Sequence, residues 1–108
     1  MGAKVRIADI KYLLSNKVFL LSVERTKVET SQENKRINSI LRFNDVIKVK
    51  AKNIDQKNKE LIIELMAIDY LKNNNDYEIN LMFKNNAHIT LVVEALEILL
   101  EDQNEIKN

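Results

Sequence analysis

Apolar and polar residues alternate along two runs near the end of the chain, and a pair of asparagines separates the runs. The apolar positions are Ile79, Leu81 and Phe83 before Asn85-Asn86, and Ile89, Leu91 and Val93 after it. Alternation with a period of two is typical of strands that bury one face, and asparagine tolerates the left-handed backbone of tight turns. The pattern predicts a β-hairpin.

The period of the pattern changes directly after this hairpin. Apolar or neutral residues then recur at helical spacing, at Val92, Ala95, Leu96, Leu99, Gln103 and Ile106, while Glu94, Glu97 and Glu101 share the opposite side. This spacing predicts an amphipathic helix over about 94–105, with Leu96 and Leu99 packed against the core. Ile98 and Leu100 widen the apolar stripe beyond one contact face, which indicates a second contact there.

Earlier runs predict five further strands, at 5–14, 17–29, 37–43, 46–52 and 61–70. The first changes parity near Ala8-Asp9, which indicates a bulge. The polar segment 30–36 predicts a loop. The run 61–70 is apolar on both parities, as in a strand buried on both faces, and a helix is the competing interpretation because its residues are good helix formers.

These elements predict an α+β fold that is mainly β, with about seven antiparallel strands over 4–93 and one C-terminal helix. The order of elements resembles the pleckstrin-homology type of split barrel, in which a terminal helix closes one corner of two nearly orthogonal sheets. A chain of 108 residues without an interior linker predicts a single domain, 1–108.

Composition excludes several classes of protein. With 45% hydrophobic and 31% charged residues, the chain is typical of a globular domain. It contains no cysteine, which rules out disulfides, a thiolate nucleophile and a cysteine zinc site. No apolar run approaches the roughly 18 residues of a membrane span. We therefore expect a cytoplasmic protein that does not enter membranes, and no motif points to a cofactor.

Charge is divided along the chain. Residues 1–59 hold fourteen Lys or Arg and six acids, whereas residues 60–108 hold three and ten, which gives net charges of +8 and −7. Lys48, Lys50 and Lys52 share one face of a predicted strand and could contact the phosphates of RNA. The alternative is that these lysines protect an edge strand from aggregation, because aromatic stacking residues are missing between them.

No residues form a recognisable catalytic set. Asp9 is expected to satisfy backbone groups at the bulge, and His88, the one histidine, is expected to be a half-exposed strand residue. Glu94 and Glu97 are expected to stabilise the start of the predicted helix. The sequence thus favours a protein that is not an enzyme.

Four segments resemble a short alphaproteobacterial family, the domain of unknown function 2948 family. They are Val5–Tyr12, Leu41–Val46, Leu65–Ile68 and Phe83–Asp102, and the similarity extends from about Lys4 to Asp102. The family usually has glycines in the last hairpin turn, where this chain has Asn85, Asn86 and Ala87, and an arginine where it has Thr90. Because that family has no known activity, the resemblance implies a lineage and no reaction.

Together these features predict a non-enzymatic protein-interaction module whose partner is another protein or a second copy of the chain. Relatives carry a helix before the first strand, so we expect apolar surface to be exposed here or covered in a homodimer. The predicted contact surface includes Arg6, Lys11, Ile98 and Leu100. Nucleic-acid binding through the lysine face is the alternative, and an enzyme with an unrecognised site is the third hypothesis.

Overall fold

The computed structural model describes residues 2–28 and 34–106, and side chains within 2–25 and 36–103. The described residues form nine strands: β1 (Ala3–Arg6), β2 (Ile10–Leu13), β3 (Val18–Val28), β4 (Asn34–Phe43), β5 (Val46–Lys52), β6 (Ile62–Lys72), β7 (Tyr77–Phe83), β8 (Ala87–Val93) and β9 (Ile98–Ile106). All the strand pairs are antiparallel, in one open sheet of order β5-β8-β7-β6-β1-β3-β4-β9, with β2 also paired to β3.

The predicted hairpin of the last third is confirmed as β7 and β8. Ile79 lies opposite Leu91 and Leu81 opposite Ile89, and all four are buried on the same face of the sheet. Asn85 and Asn86 take φ values of 66° and 60° in the turn, so asparagine does adopt the left-handed backbone expected there. We call the face of the sheet that carries these apolar residues the inner face and the opposite one the outer face.

The predicted kink in the first strand is also confirmed, as a short 3-10 turn at Ile7–Asp9 between β1 and β2. Its amides donate to the loop before β6, from Ile7 N to Leu61 O at 2.9 Å and from Ala8 N to Lys59 O at 3.0 Å. Both halves of the kinked strand pair with β3, and β1 also pairs with β6. The turn therefore lets one segment join two parts of the sheet.

The C-terminal helix predicted over 94–105 is wrong. Residues 94–97 form an irregular connection, and β9 follows as an edge strand opposite β4. Among the described residues the helical elements are three short 3-10 turns. Backbone bonds to β4 override the local helix propensity of this segment, because β4 would otherwise leave a long ladder of unpaired N–H and C=O groups. The split barrel closed by a helix is therefore not supported, and the fold is mainly β.

Two bulges explain why the burial of β6 and β5 differs from the sequence predictions. In β6 the register shifts at Met66, so Ile63 and Leu65 face inward before it and Ile68 and Tyr70 after it. The apolar residues on both parities thus reflect a change of face, and the prediction of burial on both faces is wrong, since β6 is largely exposed. A similar shift in β5 buries Val46 and leaves the adjacent Ile47 exposed.

The core lies on the inner face. Phe19, Phe43, Leu21, Ile79, Leu81, Leu91, Val5, Val46 and Val93 are its fully buried apolar members. The rings of Phe19 and Phe43 meet edge to face with centroids 6.0 Å apart. The strand predicted over 17–29 is confirmed as β3 up to Val28, and Glu29 lies outside the described residues. Of the loop predicted over 30–36, residues 30–33 lie outside them as well, and Asn34–Arg36 belong to β4.

Candidate functional site

The three lysines of β5 lie in a row on the outer face. The register places Lys48 opposite Val92, Lys50 opposite Thr90 and Lys52 opposite His88, which is a half-exposed strand residue as expected. The three side chains are exposed and make no ion pair within the described part of the chain. The row is therefore accessible to a negatively charged partner.

The other four predicted contact residues do not form one surface. Arg6 and Lys11 lie on the outer face of β1 and β2, whereas Ile98 and Leu100 lie on the inner side of β9, at the margin of the sheet. Arg6 is also engaged, because its guanidinium lies 3.4 Å from Asp9 and 3.4 Å from Glu60. The hydrogen bond and charge of Asp9, followed by the charge of Glu60, raise the pKa of Arg6.

A feature that the sequence predictions missed is the length of β6 relative to its neighbour β1. Only Ile62–Leu65 of β6 pair with β1, which begins at Ala3, while β6 continues to Lys72 along β7. Among the described residues, Met66–Lys72 has the neighbouring strand β7 on one side and no strand on the other. About half of the backbone N–H and C=O groups of a strand point to each side, so this span has an edge with unpaired groups. We call Met66–Lys72 the free edge of β6.

The free edge carries exposed apolar side chains on both faces of the sheet. Met66 is 47% exposed, Ile68 39%, Tyr70 59% and Leu71 45%. Ile68 and Tyr70 are on the inner face, directly opposite the buried Leu81 and Ile79 of β7. These side chains therefore extend the core-facing surface of the sheet to a place where nothing described covers it.

A shallow groove lies at the start of the free edge, beside the first residue of β1. It has a volume of about 590 Å³ and is lined by Gly2, Ala3, Arg25, Glu64, Leu65, Met66, Ala67 and Ile68. Arg25 is held in place by both carboxylate oxygens of Asp102, at 2.8 and 2.9 Å, and by the buried hydroxyl of Ser39. The groove thus has a fixed polar wall on β3 and an apolar wall on β6.

Nothing in the described ranges assembles a metal site, because no group of three or more His, Asp or Glu side chains converges there. Asp9 contacts the Arg6 guanidinium, and not the backbone groups at the bulge that it was expected to satisfy. Glu94 and Glu97 do not begin a helix: Glu94 pairs with Lys17 at 3.1 Å, and the Glu97 carboxylate accepts from the Asn44 side chain. Glu94 and Glu97 therefore connect their segment to residues near β3 and β4.

One sequence signal could have pointed to the free edge. The run from Leu61 to Tyr70 is apolar on both parities, which predicts burial on two faces. The pattern equally fits a bulged strand whose apolar residues stay exposed until a partner binds. Only the register of strand pairing distinguishes this strand from one that is buried on two faces. Recognition of the free edge therefore required knowledge of where β1 begins along β6.

The fold and this edge define an all-β protein with one open antiparallel sheet and an accessible internal strand. Comparison with protein families assigns it more narrowly, because residues 2–108 match the family described as "Protein of unknown function (DUF2948)". The chain belongs to this family. No curated protein and no solved structure is significantly similar to it. Within the residues described, none of the helical segments has the length and apolar character to cross a bilayer.

Proposed function

We propose that this protein is a non-enzymatic protein-interaction module that binds an extended segment of a partner at the free edge of β6. The observation that carries the proposal is the span Met66–Lys72, which has β7 on one side and no described strand on the other. A strand added there would satisfy the unpaired backbone groups, and side chains on alternate positions would supply specificity.

The other two edges of the sheet differ from this one in charge. The edge strand β5 presents Lys48, Lys50 and Lys52, and the edge strand β9 presents Glu101 and Asp102. Regularly placed charges of this kind prevent edge strands from pairing with other chains. The free edge of β6 has two charged residues, Asp69 and Lys72, beside four exposed apolar side chains, so charge protects it less than it protects β5.

The apolar side chains of the free edge give a partner surface to bury. Ile68 and Tyr70 stand on the inner face beside fully buried neighbours, so an incoming strand would continue the core rather than begin a new one. Burial of apolar surface contributes about 25 cal/mol per Å², in addition to the backbone hydrogen bonds. Self-association of this chain, and its cytoplasmic location, stay predictions of the sequence.

Selection from a random peptide library displayed on phage tests this proposal. We expect sequences that bind the wild-type chain and fail to bind Ile68→Lys, because a charge on the inner face of β6 opposes burial of a strand there. Leu99→Lys is the matched control, since Leu99 is a similarly exposed leucine on β9. Selected sequences that bind both variants equally well, or no selected sequences at all, would refute the proposal.

A second candidate function is binding of RNA along β5, and the observation that favours it is the row of Lys48, Lys50 and Lys52, which have no ion pair among the described residues. Fluorescence anisotropy with a single-stranded RNA tests it, with affinity expected to fall steeply as salt rises. Charge reversal at Lys50 and Lys52 should weaken binding, while reversal at Lys11, exposed on β2, should not. Binding that ignores both salt and the β5 variants would exclude this function.

A further inference from the structure

We propose that the segment bound at the free edge of β6 carries a basic residue opposite Asp69, between two apolar residues opposite Ile68 and Tyr70. This inference rests on the proposed function and adds the chemistry of the partner to it. Its basis is the arrangement of charge and apolar surface along β6, together with the strand that already occupies the first part of the same edge.

Asp69 presents an unneutralised charge at the middle of the free edge. It lies on the outer face, opposite Asn80 of β7, whose amide donates to Asp69 Oδ1 at 3.2 Å. Thr90 in turn donates to Asn80 Oδ1 at 3.1 Å, so a row of hydrogen bonds from β8 orients the carboxylate. No cation of the described chain lies within ion-pair distance of Asp69. A basic side chain on an added strand would supply the missing charge.

The residues on either side of Asp69 require the opposite chemistry. Ile68 and Tyr70 are on the inner face, where Leu81 and Ile79 of the neighbouring strand are buried. In a strand, successive side chains point to opposite faces, so the residues that flank the basic one would meet this apolar surface. The partner's pattern is therefore apolar, basic, apolar.

The strand β1 shows the same pattern on the same edge. Its residues Ala3, Lys4 and Val5 lie opposite Leu65, Glu64 and Ile63 of β6. Lys4 is thus placed against an acid on the outer face, and its neighbours are placed against apolar residues on the inner face. The free edge continues the part of β6 that pairs with β1. A partner strand in line with β1 would therefore run antiparallel to β6 and place apolar, basic and apolar residues against it, as β1 does at Ile63–Leu65.

Three synthetic peptides of about nine residues, the length of the free edge with one residue beyond each end, test this arrangement. Valine and serine alternate in each, and the central serine position is Lys, Ser or Glu. Anisotropy of the labelled peptides is measured with the wild-type chain, with Asp69→Lys, and with Glu101→Lys, which changes an exposed acid on the outer face of β9 as the control. Thermal denaturation first confirms that each variant folds.

We expect the wild-type chain to bind the Lys peptide about fivefold more tightly than the Glu peptide, since one cross-strand charge pair is exchanged from attractive to repulsive. Asp69→Lys should reverse this order, Glu101→Lys should leave it unchanged, and added salt should reduce it. Such a reversal supports the inference because a change of fold alone would weaken both peptides together.

The remaining outcomes separate the inference from the function on which it rests. Equal binding of the three peptides, lost in Ile68→Lys or in Tyr70→Ser, would overturn the basic partner and leave strand binding at β6 intact. Absence of binding by every peptide, together with an empty library selection, would overturn both. A wild-type dimer that Ile68→Lys converts to a monomer would show that a second copy occupies the edge, and would also overturn the basic partner.

Discussion

The two strands of the β6–β7 hairpin carry apolar residues directly opposite one another, yet they differ completely in burial. On β7, Ile79 and Leu81 are 0% exposed, whereas their partners Tyr70 and Ile68 on β6 are 59% and 39% exposed on the same face. The strand β7 lies between β6 and β8, while this half of β6 lies at a margin. Burial in this protein therefore depends on the number of neighbouring strands more than on the residue's own character.

The comparison is sharpest if the same change is made on both sides of the hairpin. Leu81→Ala removes a fully buried side chain between two strands, so we expect the free energy of unfolding to fall by about 2 to 5 kcal/mol. Urea denaturation measures this loss. A fall below about 1 kcal/mol would mean that the core around β7 adjusts to the cavity.

The margin formed by β9 depends on a polar contact in place of apolar burial. The hydroxyl of the buried Ser39 donates to Asp102, which also holds Arg25. Asp102→Ala would leave this hydroxyl without its acceptor and should cost about 1 to 3 kcal/mol in chemical denaturation. Glu101→Ala, one residue away and exposed, is the control and should change stability by less than about 0.5 kcal/mol. Equal effects of the two substitutions would contradict a specific role for Asp102.

Stability should be far less sensitive to substitution of Ile68, which lies opposite Leu81 in the hairpin. Ile68→Ala removes a side chain that already contacts solvent, and we expect a loss below about 1 kcal/mol in the same urea titration. A bound strand would cover this residue, so its contribution should increase when a partner is present. A loss as large as that of Leu81→Ala in the free protein would show that the edge is covered by other means.

The smallest effect is expected at Leu99. The predicted helix would have packed this residue against the core, at a cost of about 2 to 5 kcal/mol for Leu99→Ala. In the structure Leu99 is 48% exposed on the outer side of the edge strand β9, opposite Arg42, so the loss should be about 0.5 kcal/mol or less. A large loss would favour the C-terminal helix predicted over 94–105.

Local patterns determined the elements whose environment is regular. The alternation in β7 and β8 predicted both their pairing and their inner face, because each has a neighbour on both sides and one face in the core. Most turn residues follow the same pattern: Asp45, Asn53, Asn85 and Asn86 take positive φ at places where the apolar pattern breaks, whereas Lys17, which also takes positive φ, falls in the strand predicted over 17–29. In these segments local propensity and tertiary environment agree.

Segments at the margins were decided by tertiary structure. Residues 94–106 have the spacing and composition of a helix, but the backbone of β4 required a partner, and they form β9. In β6 the bulge at Met66 and the start of β1 at Ala3 leave an apolar edge that no described strand covers, and the local pattern predicts neither the register nor the limits of β1. Hydrophobic periodicity reports which side of a segment is apolar. Which strand lies beside it, and whether any does, depends on pairing between residues far apart in the chain.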